Sequence, residues 1–312
     1  MTLYIIRRVL HMIPILLGVV LLLFILFNWV GGDPAYILAG KVVSEAQIEN
    51  IRHQLGLDRP AYVQIAIFLK QIFTGDFGAS WSTGEPVSEI IKTRLGPSLT
   101  VLVPLMILGN IIAVALALLV ARRRGGFGDR AVMTACTVGM SISVLVYIIV
   151  FQYVFAYKLG WFPVQGWGDN LFQNLFVYAG LPVITGLVVG IAPSLRLYRS
   201  FIVDEIQQDY VRTARAKGLT ERRILWVHVL RNAAIPIVTC IMASLPGLLT
   251  GAFLIERFFS IPGIGREILL AVERSDFPVI KAVTVYVVIA TMIANLLADL
   301  IYKAADPRVE LK

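Results

Sequence analysis

Hydrophobic positions in this chain gather into long runs separated by short polar segments. Six runs stand out, at about residues 9–30, 98–120, 131–157, 176–195, 233–255 and 279–302. A helix needs about 20 apolar residues to cross a bilayer, and these runs approach or exceed that length. The pattern predicts an all-α integral membrane protein with six transmembrane helices. The first run follows Arg7 and Arg8 and carries on to Trp29. It is too long for the core of a cleavable signal peptide, which holds about 7–15 apolar residues, and reads as a retained span. Pro14 falls in its first turns, where proline is tolerated. Pro182 and Pro193 interrupt the fourth run, and Pro236 and Pro246 the fifth.

The polar segments carry their own pattern. Residues 31–97 form the longest of them. Gly31-Gly-Asp-Pro34 ends the first helix, residues 44–55 read as a surface helix, and Leu55-Gly-Leu-Asp-Arg-Pro60 as a turn. An amphipathic piece follows over 61–73. With Phe68, Phe73 and Trp81 it predicts a small cap against the outer membrane face. A second polar island runs from Asp209 to Pro236 between apolar runs. Helix formers fill it up to Lys217, Gly218 suits the position just past a helix end, and Leu219-Thr220 turns the chain. Thr220 is a candidate N-cap for a second short helix from Glu221 to about Ala234.

Composition agrees with a membrane protein. The 312 residues are 58% hydrophobic and 15% charged, against about a quarter charged in an ordinary soluble domain. Cys136 and Cys240 both lie in apolar runs, which argues against a disulfide framework or a cysteine metal site. The net charge of +8 is distributed unevenly. With both termini on one side, the Arg7 side holds 17 Lys and Arg against 8 Asp and Glu, and the other side 11 against 12. Positive loops stay in the cytoplasm, so both termini and the island are predicted there.

The island has three readings: a solvated basic loop, a DNA-binding helix-turn-helix, or a docking element for another protein. A recognition helix needs clearance from the bilayer, and this one runs into Pro236 and the fifth span. Ile224, Leu225, Trp226, Val227, Val229 and Leu230 give it more apolar surface than a solvated helix exposes. Docking is the reading that fits, with no nucleic acid. Ala214 and Ala216 leave room for close approach, Gly218 frees the turn, and Arg212, Arg215 and Lys217 supply charge.

Enzymatic signatures are missing. The sequence has no Gly-x-x-x-x-Gly-Lys-Ser/Thr phosphate loop, no His-Glu-x-x-His and no Gly-x-Ser-x-Gly. Asp299 is the only clear acid within a span, near its inner end, where an interfacial or packing role is expected. Catalytic and metal sites are therefore not expected. Proline-interrupted spans suit helices that move or line a path. Asn110, Ser141, Gln152, Thr239 and Ser244 are candidate pore-lining residues, each equally able to join helices by hydrogen bonds. An ion-coupled secondary transporter would want buried acids, and only Asp299 could serve. A membrane scaffold would account for the island alone.

Arg212-Thr-Ala-Arg-Ala-Lys-Gly-Leu219, followed by His228-x-Leu-Arg-Asn-Ala233 and Pro236-x-x-Thr239, resembles the cytoplasmic motif of binding-protein-dependent ABC importer permeases. The resemblance is to the peptide/nickel subfamily, and to its first permease. It extends to Gly32-Asp-Pro34, Leu55-Gly-Leu-Asp-Arg-Pro60, Gly75-Asp-Phe-Gly78, Phe259-Ser-x-Pro-Gly-x-Gly265 and Asp276-Phe-Pro278. The broad family's Glu-Ala-Ala is Arg212-Thr213-Ala214 here and its later proline is Pro236, so glutamate contacts are not carried over.

The resemblance implies an ABC type I importer architecture in the bacterial cytoplasmic membrane. An N-terminal helix (1–30) and an outer loop region (31–97) would precede a five-helix core (98–302), with a coupling loop at 199–232 and a tail at 303–312. Asp209, Tyr210, Arg212, Thr213, Ala214, Ala216, Lys217, Gly218 and Leu219 would couple to one or two separate ATPases. ATP and Mg²⁺ would be held there and no cofactor in this chain. A second homologous permease would complete the pore. A solute-binding protein would dock on the outer segments, with Asp33, Asp76, Glu256, Arg257 and Arg266 as candidates. Di- and oligopeptides are the expected cargo, with nickel-chelate, opine, siderophore-like or sugar cargo as alternatives.

Overall fold

The computed structural model describes residues 2–26, 35–36, 44–54, 56–250 and 252–305. The predicted break at 31–34, with Asp33, and the chain beyond 305 lie outside the described residues.

The membrane-spanning framework comes from the apolar runs. Among the described residues, four helices are long and apolar enough to cross a bilayer: Val87–Arg122, Gly180–Ile206, Glu221–Leu248 and Phe277–Leu300. We label α1 (Thr2–Ile25), α2 (Glu45–Gln54), α3 (Ala61–Thr74), α4 (Val87–Arg122), α5 (Phe127–Ser141) and α6 (Val144–Phe151, extended through a wide π-helical stretch Gln152–Lys158). Next come α7 (Gly180–Ile206), α8 (Asp209–Ala216), α9 (Glu221–Arg223, widening into a π-helical stretch Ile224–Val229) and α10 (Leu230–Thr250). The chain ends with α11 (Phe253–Phe258), α12 (Ile264–Glu273) and α13 (Phe277–Ala305). In α1 the apolar stretch is Leu10–Ile25, shorter than a full span among the described residues.

Three predicted elements come out differently. The run at 131–157 is not one straight helix, because α5 and α6 meet at a 93° bend. Ser143 accepts a hydrogen bond from the Leu145 N–H and so caps a new helix there. The Tyr147 hydroxyl, donating to the Gly139 carbonyl at 2.9 Å, braces the corner. Second, α4 begins at Val87, so the boundary expected at 97/98 falls inside a helix that passes through Pro97 and Pro104. Third, α7 continues beyond 195 to Ile206, with Pro182 in its first turn and Pro193 inside it.

Packing fixes these helices in one order. α4 and α7 lie side by side, with Gly109 against Leu187 and Gly186 against Leu105 and Ile255. A methyl at Gly186 would overlap Leu105, so the close approach depends on that glycine. α1 lies on α13, where Arg8 pairs with Asp299 at 3.1 Å, an interhelical role for that intramembrane acid. The predicted cap is real in part. Phe68 of α3 is buried with Val20 and Leu23 of α1 and with Phe277 and Val285 of α13. Trp81 meets the Phe277 ring edge-on at 5.5 Å, whereas Phe73 is left exposed.

The start of α13 is held by Asp276, which is 1% exposed. Its carboxylate accepts from the Ser80 hydroxyl, the Trp81 N–H (3.1 Å), and the Ser82 N–H (3.2 Å) and hydroxyl (2.8 Å). Burial pushes this carboxyl up, but the bonds from Ser80, Ser82 and Trp81 outweigh it and hold it below the ordinary carboxylate value. A depressed native pKa contributes stability that is full above about pH 4 and is lost as pH falls through the native value. The thermal stability difference between the native protein and Asp276→Asn in detergent is therefore expected to be largest at neutral pH and to shrink below pH ~4. A difference that does not change with pH would show that the ionised carboxylate is not what holds the loop.

Candidate functional site

The polar island folds as a short helix, a turn and the start of a span. α8 exposes Asp209, Arg212, Thr213 and Ala216, spaced i, i+3, i+4 and i+7, so they form one outward face. Val211 and Ala214 point the other way into the bundle. Lys217 is the last turn residue and Gly218 follows with φ +76°. The Gly218 N–H donates to the Arg215 carbonyl (2.9 Å) and the Leu219 N–H to the Ala214 carbonyl (3.3 Å). That pair of bonds is a Schellman closure, in which only a residue at ease with positive φ fits the C′ position. Arg215 then clasps Glu221 across the turn at 2.6 and 3.3 Å.

Thr220 takes the extended backbone of an N-cap, without a side-chain capping bond. Beyond it the chain does not stop near Ala234. α9 runs directly into α10, so Glu221–Leu248 is one span. The turn is thereby continuous with a membrane-spanning helix through the π-helical stretch Ile224–Val229. Ile224, Leu225 and Val229 are buried with Val211, Ala214, Ile202 and Leu118, tying the island to α4 and α7. Trp226 and Val227 stay exposed, and Trp226 with Thr220, Arg222 and Arg223 lines a shallow cavity of about 450 Å³ beside the turn.

Two polar contacts stiffen the mount. The Tyr210 hydroxyl donates to Glu205 Oε2 at 2.7 Å. Burial and that carboxylate push the phenol up to about 12, so it remains a neutral donor at physiological pH. Arg199 of α7 forks onto Asp129 of α5 at 2.7 and 2.6 Å, and the Gly125 N–H donates to the same carboxylate at 2.8 Å. Asp129→Ala strands a largely buried guanidinium and is expected to cost about 3 kcal/mol, the lower end for breaking a buried pair. Asp129→Leu combined with Arg199→Met should recover much of that loss. Unfolding of purified protein in detergent reads both, and a fully additive double variant would contradict the pairing.

Between α4, α7 and α10 lies a groove of about 480 Å³. Gly109, Gly186, Gly190 and Gly247 keep it open, and Asn110, Ser194, Tyr198 and Ser244 supply its polar atoms. The described residues that line it include no charged side chain. Asn110 accepts from the Tyr198 hydroxyl and donates to the Met106 carbonyl at 2.7 Å.

Comparison with known proteins follows the same outline. Residues 113–311 match the family described as binding-protein-dependent transport system inner membrane component, and residues 1–102 match its N-terminal region. A probable peptide ABC transporter permease protein of Sinorhizobium fredii is 37% identical over 312 residues, covering 99% of each chain. This chain belongs to the binding-protein-dependent transport system inner membrane component family. It is 35% identical over 316 residues to an oligopeptide transport system permease protein of Bacillus subtilis, covering 99% of this chain and 100% of that one. It is 36% identical over 309 residues to a glutathione transport system permease protein of Pectobacterium atrosepticum, covering 99% of each. It is a multi-pass permease subunit of the cytoplasmic membrane and not an enzyme.

Within this permease the sequence-derived site residues separate into groups. Asp209, Arg212, Thr213, Ala216, Lys217 and Gly218 share the exposed side of the island. Tyr210, Ala214 and Leu219 do not: Ala214 is buried, and Tyr210 and Leu219 pack on the same core. Ala214 packs into the bundle and lies off the exposed face. Of the candidate pore-lining residues, Asn110 and Ser244 line the groove. Gln152 instead bridges the Val164 and Phe258 carbonyls at 3.1 and 3.0 Å. Ser141 bonds the Thr137 carbonyl at the α5–α6 corner, and Thr239 bonds the Ile235 carbonyl.

At the end of the bundle away from the island, Asp76 is exposed and closes its own loop onto the Gly78 N–H. Arg257 pairs with Glu273 at 3.1 Å. The Arg266 guanidinium folds back to the Ser260 carbonyl at 2.9 Å. Glu256, expected on a docking surface, is 0% exposed. Its carboxylate accepts from the Ser98 hydroxyl (2.8 Å) and from the backbone N–H of Ala252 and Arg266 (3.0 Å each). Gly263 and Gly265 lie against that carboxylate, which gives Gly263-x-Gly265 a packing role. Sequence reasoning passed over Ser98, Asp129, Ser80 and Ser82, whose partners lie far away in the chain, and Glu205, which looked like a solvated charge.

Proposed function

We propose that this permease is one of the two transmembrane subunits of an ATP-driven importer for di- and oligopeptides. Six helices cross the membrane, counting α1 and the bent α5–α6 pair as one span each, with both termini and the island in the cytoplasm. The charge imbalance between the two sides supports that orientation. The N-terminal helix and outer loop precede a five-helix core, and a second homologous permease completes the pore. The groove between α4, α7 and α10 is this subunit's share of the path. Among its described lining residues there is no charged side chain, which suits passage of zwitterionic solutes without a deep trap.

The observation that carries the proposal is the mounting of α8 on the span α9–α10. The exposed face from Asp209 to Gly218 seats in a separate ATPase, while Tyr210, Ala214 and Leu219 anchor it to this chain. ATP and Mg²⁺ belong to that ATPase, and no cofactor to this chain. Closure of an ATPase pair would move the turn, and the continuous helix would carry that motion into the groove, a rocking form of alternating access. The α11–α12 segment, with Arg257 and Arg266, and the loop around Asp76 face the solute-binding protein. A peptide cargo is supported by the peptide, oligopeptide and glutathione names of the full-length relatives.

Gentle-detergent purification of the tagged chain, with mass spectrometry of what accompanies it, tests the assignment. An ABC ATPase and a second permease are expected in the complex. A chain that purifies alone and moves solute in ATP-free liposomes under an ion gradient would overturn it.

A further inference from the structure

Among the described residues, only Ser260 (φ +57°) and Ser275 (φ +54°) take a left-handed backbone without being glycine. Elsewhere glycine fills such positions, as at Gly75 and Gly218. Each serine follows a short helix at the end of the bundle away from the island, Ser260 after α11 and Ser275 after α12. At Ser260 the Ile261 N–H donates to the Glu256 carbonyl at 2.9 Å, a Schellman closure that favours glycine at this position. A serine there is strained, and it persists only where its surroundings hold it.

The surroundings of Ser260 form a clasp. Its hydroxyl donates to Gln165 Oε1 at 3.1 Å, and its carbonyl accepts from the Arg266 guanidinium at 2.9 Å. The Phe259 carbonyl accepts from the Gly166 N–H at 3.3 Å. The Gln152 amide donates both to the Phe258 carbonyl at 3.0 Å and to the Val164 carbonyl at 3.1 Å. Gln152 lies in the π-helical extension of α6, and residues 164–166 in the segment between α6 and α7. The corner between α11 and α12 is thus tied to both. Arg266 Nε is buried without a partner, so this arrangement leaves one donor unsatisfied. α11 also borders the groove: Ile255 lies 3.5 Å from where a Cβ on Gly186 would stand, and Gly186 lines the groove.

We propose that the clasp of Gln152, Gln165 and Gly166 on residues 258–260 is a latch that holds the groove shut at this end, and that docking of the solute-binding protein releases it. The inference rests on the importer reading above. Release lets Ser260 relax to negative φ, moves α11 off Gly186 and frees Arg266 for an acceptor on the docked protein. The strain and the orphaned donor favour release, and the Gln152 bridge opposes it. Two arrangements so balanced are shifted by a partner that binds one of them better.

The complete transporter in lipid nanodiscs is assayed for ATP hydrolysis with and without its solute-binding protein, loaded from a tryptic peptide mixture. Hydrogen exchange is followed in the peptide that contains Gly166. In the wild type, exchange there is expected to be slow and to speed up when the binding protein docks. Gln152→Met, close in size but without the amide donor, should speed that exchange and raise hydrolysis without binding protein about fivefold, the shift that one lost hydrogen bond brings. Ser260→Gly removes the strain and should lower stimulated hydrolysis about fivefold relative to Gln165→Ala, which loses the same hydroxyl contact. A purely structural role would not move the two variants in opposite directions. Exchange at Gly166 that ignores docking, or both variants shifting hydrolysis the same way, would overturn the latch. If Gln152→Met does not assemble, the wild-type exchange and the Ser260→Gly comparison decide it. A wild-type complex without stimulated hydrolysis would overturn the importer reading itself, whereas stimulated wild-type hydrolysis with unmoved variants overturns the latch alone.

Discussion

Gly218→Pro is expected to abolish ATP-driven uptake while leaving the amount of permease in the membrane unchanged. Gly218 holds φ +76°, and its N–H donates to the Arg215 carbonyl at 2.9 Å. Proline fixes φ near −65° and has no N–H, so it removes both features on which the turn depends. Strain of about 1–3 kcal/mol at such a position is enough to change a coupled rate about 5- to 150-fold. Space is not the issue, since nothing lies within 4 Å of where a Cβ would stand. Gly218→Ala, which keeps the N–H and suffers only the left-handed backbone, should therefore give an intermediate loss. Uptake is measured beside an immunoblot of the membrane fraction. Wild-type uptake by the proline variant at normal abundance would remove the turn from the coupling account.

Glu256→Ala is expected to be the most destabilising single change at the far end of the bundle. The carboxylate is fully buried and gathers one hydroxyl from α4 and two backbone N–H donors, from the N-cap residue of α11 and from α12. Leaving those three donors unsatisfied, each toward the lower end of about 1–3 kcal/mol, costs about 3–5 kcal/mol in all. Ser98 extends the penalty, because its hydroxyl also accepts from the Ile264 N–H at 2.8 Å. Gly263→Ala should produce a similar defect by a different route, since the added methyl would land on the Glu256 carboxylate and the Ser98 hydroxyl. Thermal unfolding in detergent checks both. A Glu256→Ala protein that melts with the wild type would show that the carboxylate does not hold α11 and α12 in place.

Local signals in the sequence foretold local structure. Gly218 ends α8 where glycine after a run of helix formers said it would, and α2 and α3 fall within two residues of the predicted surface helices. The apolar run at 279–302 became α13 with ends shifted by two or three residues. The failures share a cause. Charges at Arg222, Arg223 and Arg231 broke the apolar run and suggested a separate helix, yet the backbone continued through them because their side chains reach solvent. The bend at Ser143 depends on one capping oxygen, which run length does not register. Glu256 looked like a surface acid because its partner Ser98 is 158 positions away and its other partners are backbone N–H groups. Ala214 looked like a contact residue for the same reason that it is buried: small side chains suit close packing on either side of a helix.

The central claim is that the outward face of α8 seats in a separate ATPase, and a photo-reactive residue at Ala216 tests it most directly. Ala216 is exposed on that face, one turn from Arg212 and Thr213. Trp161, exposed in the loop after α6 at the other end of the bundle, serves as the control position. After illumination of intact transporter, the account predicts a cross-link from position 216 to the ATPase and none from position 161. A cross-link from position 161 to the ATPase, or none from 216 in a complex that still hydrolyses ATP and transports, would contradict it.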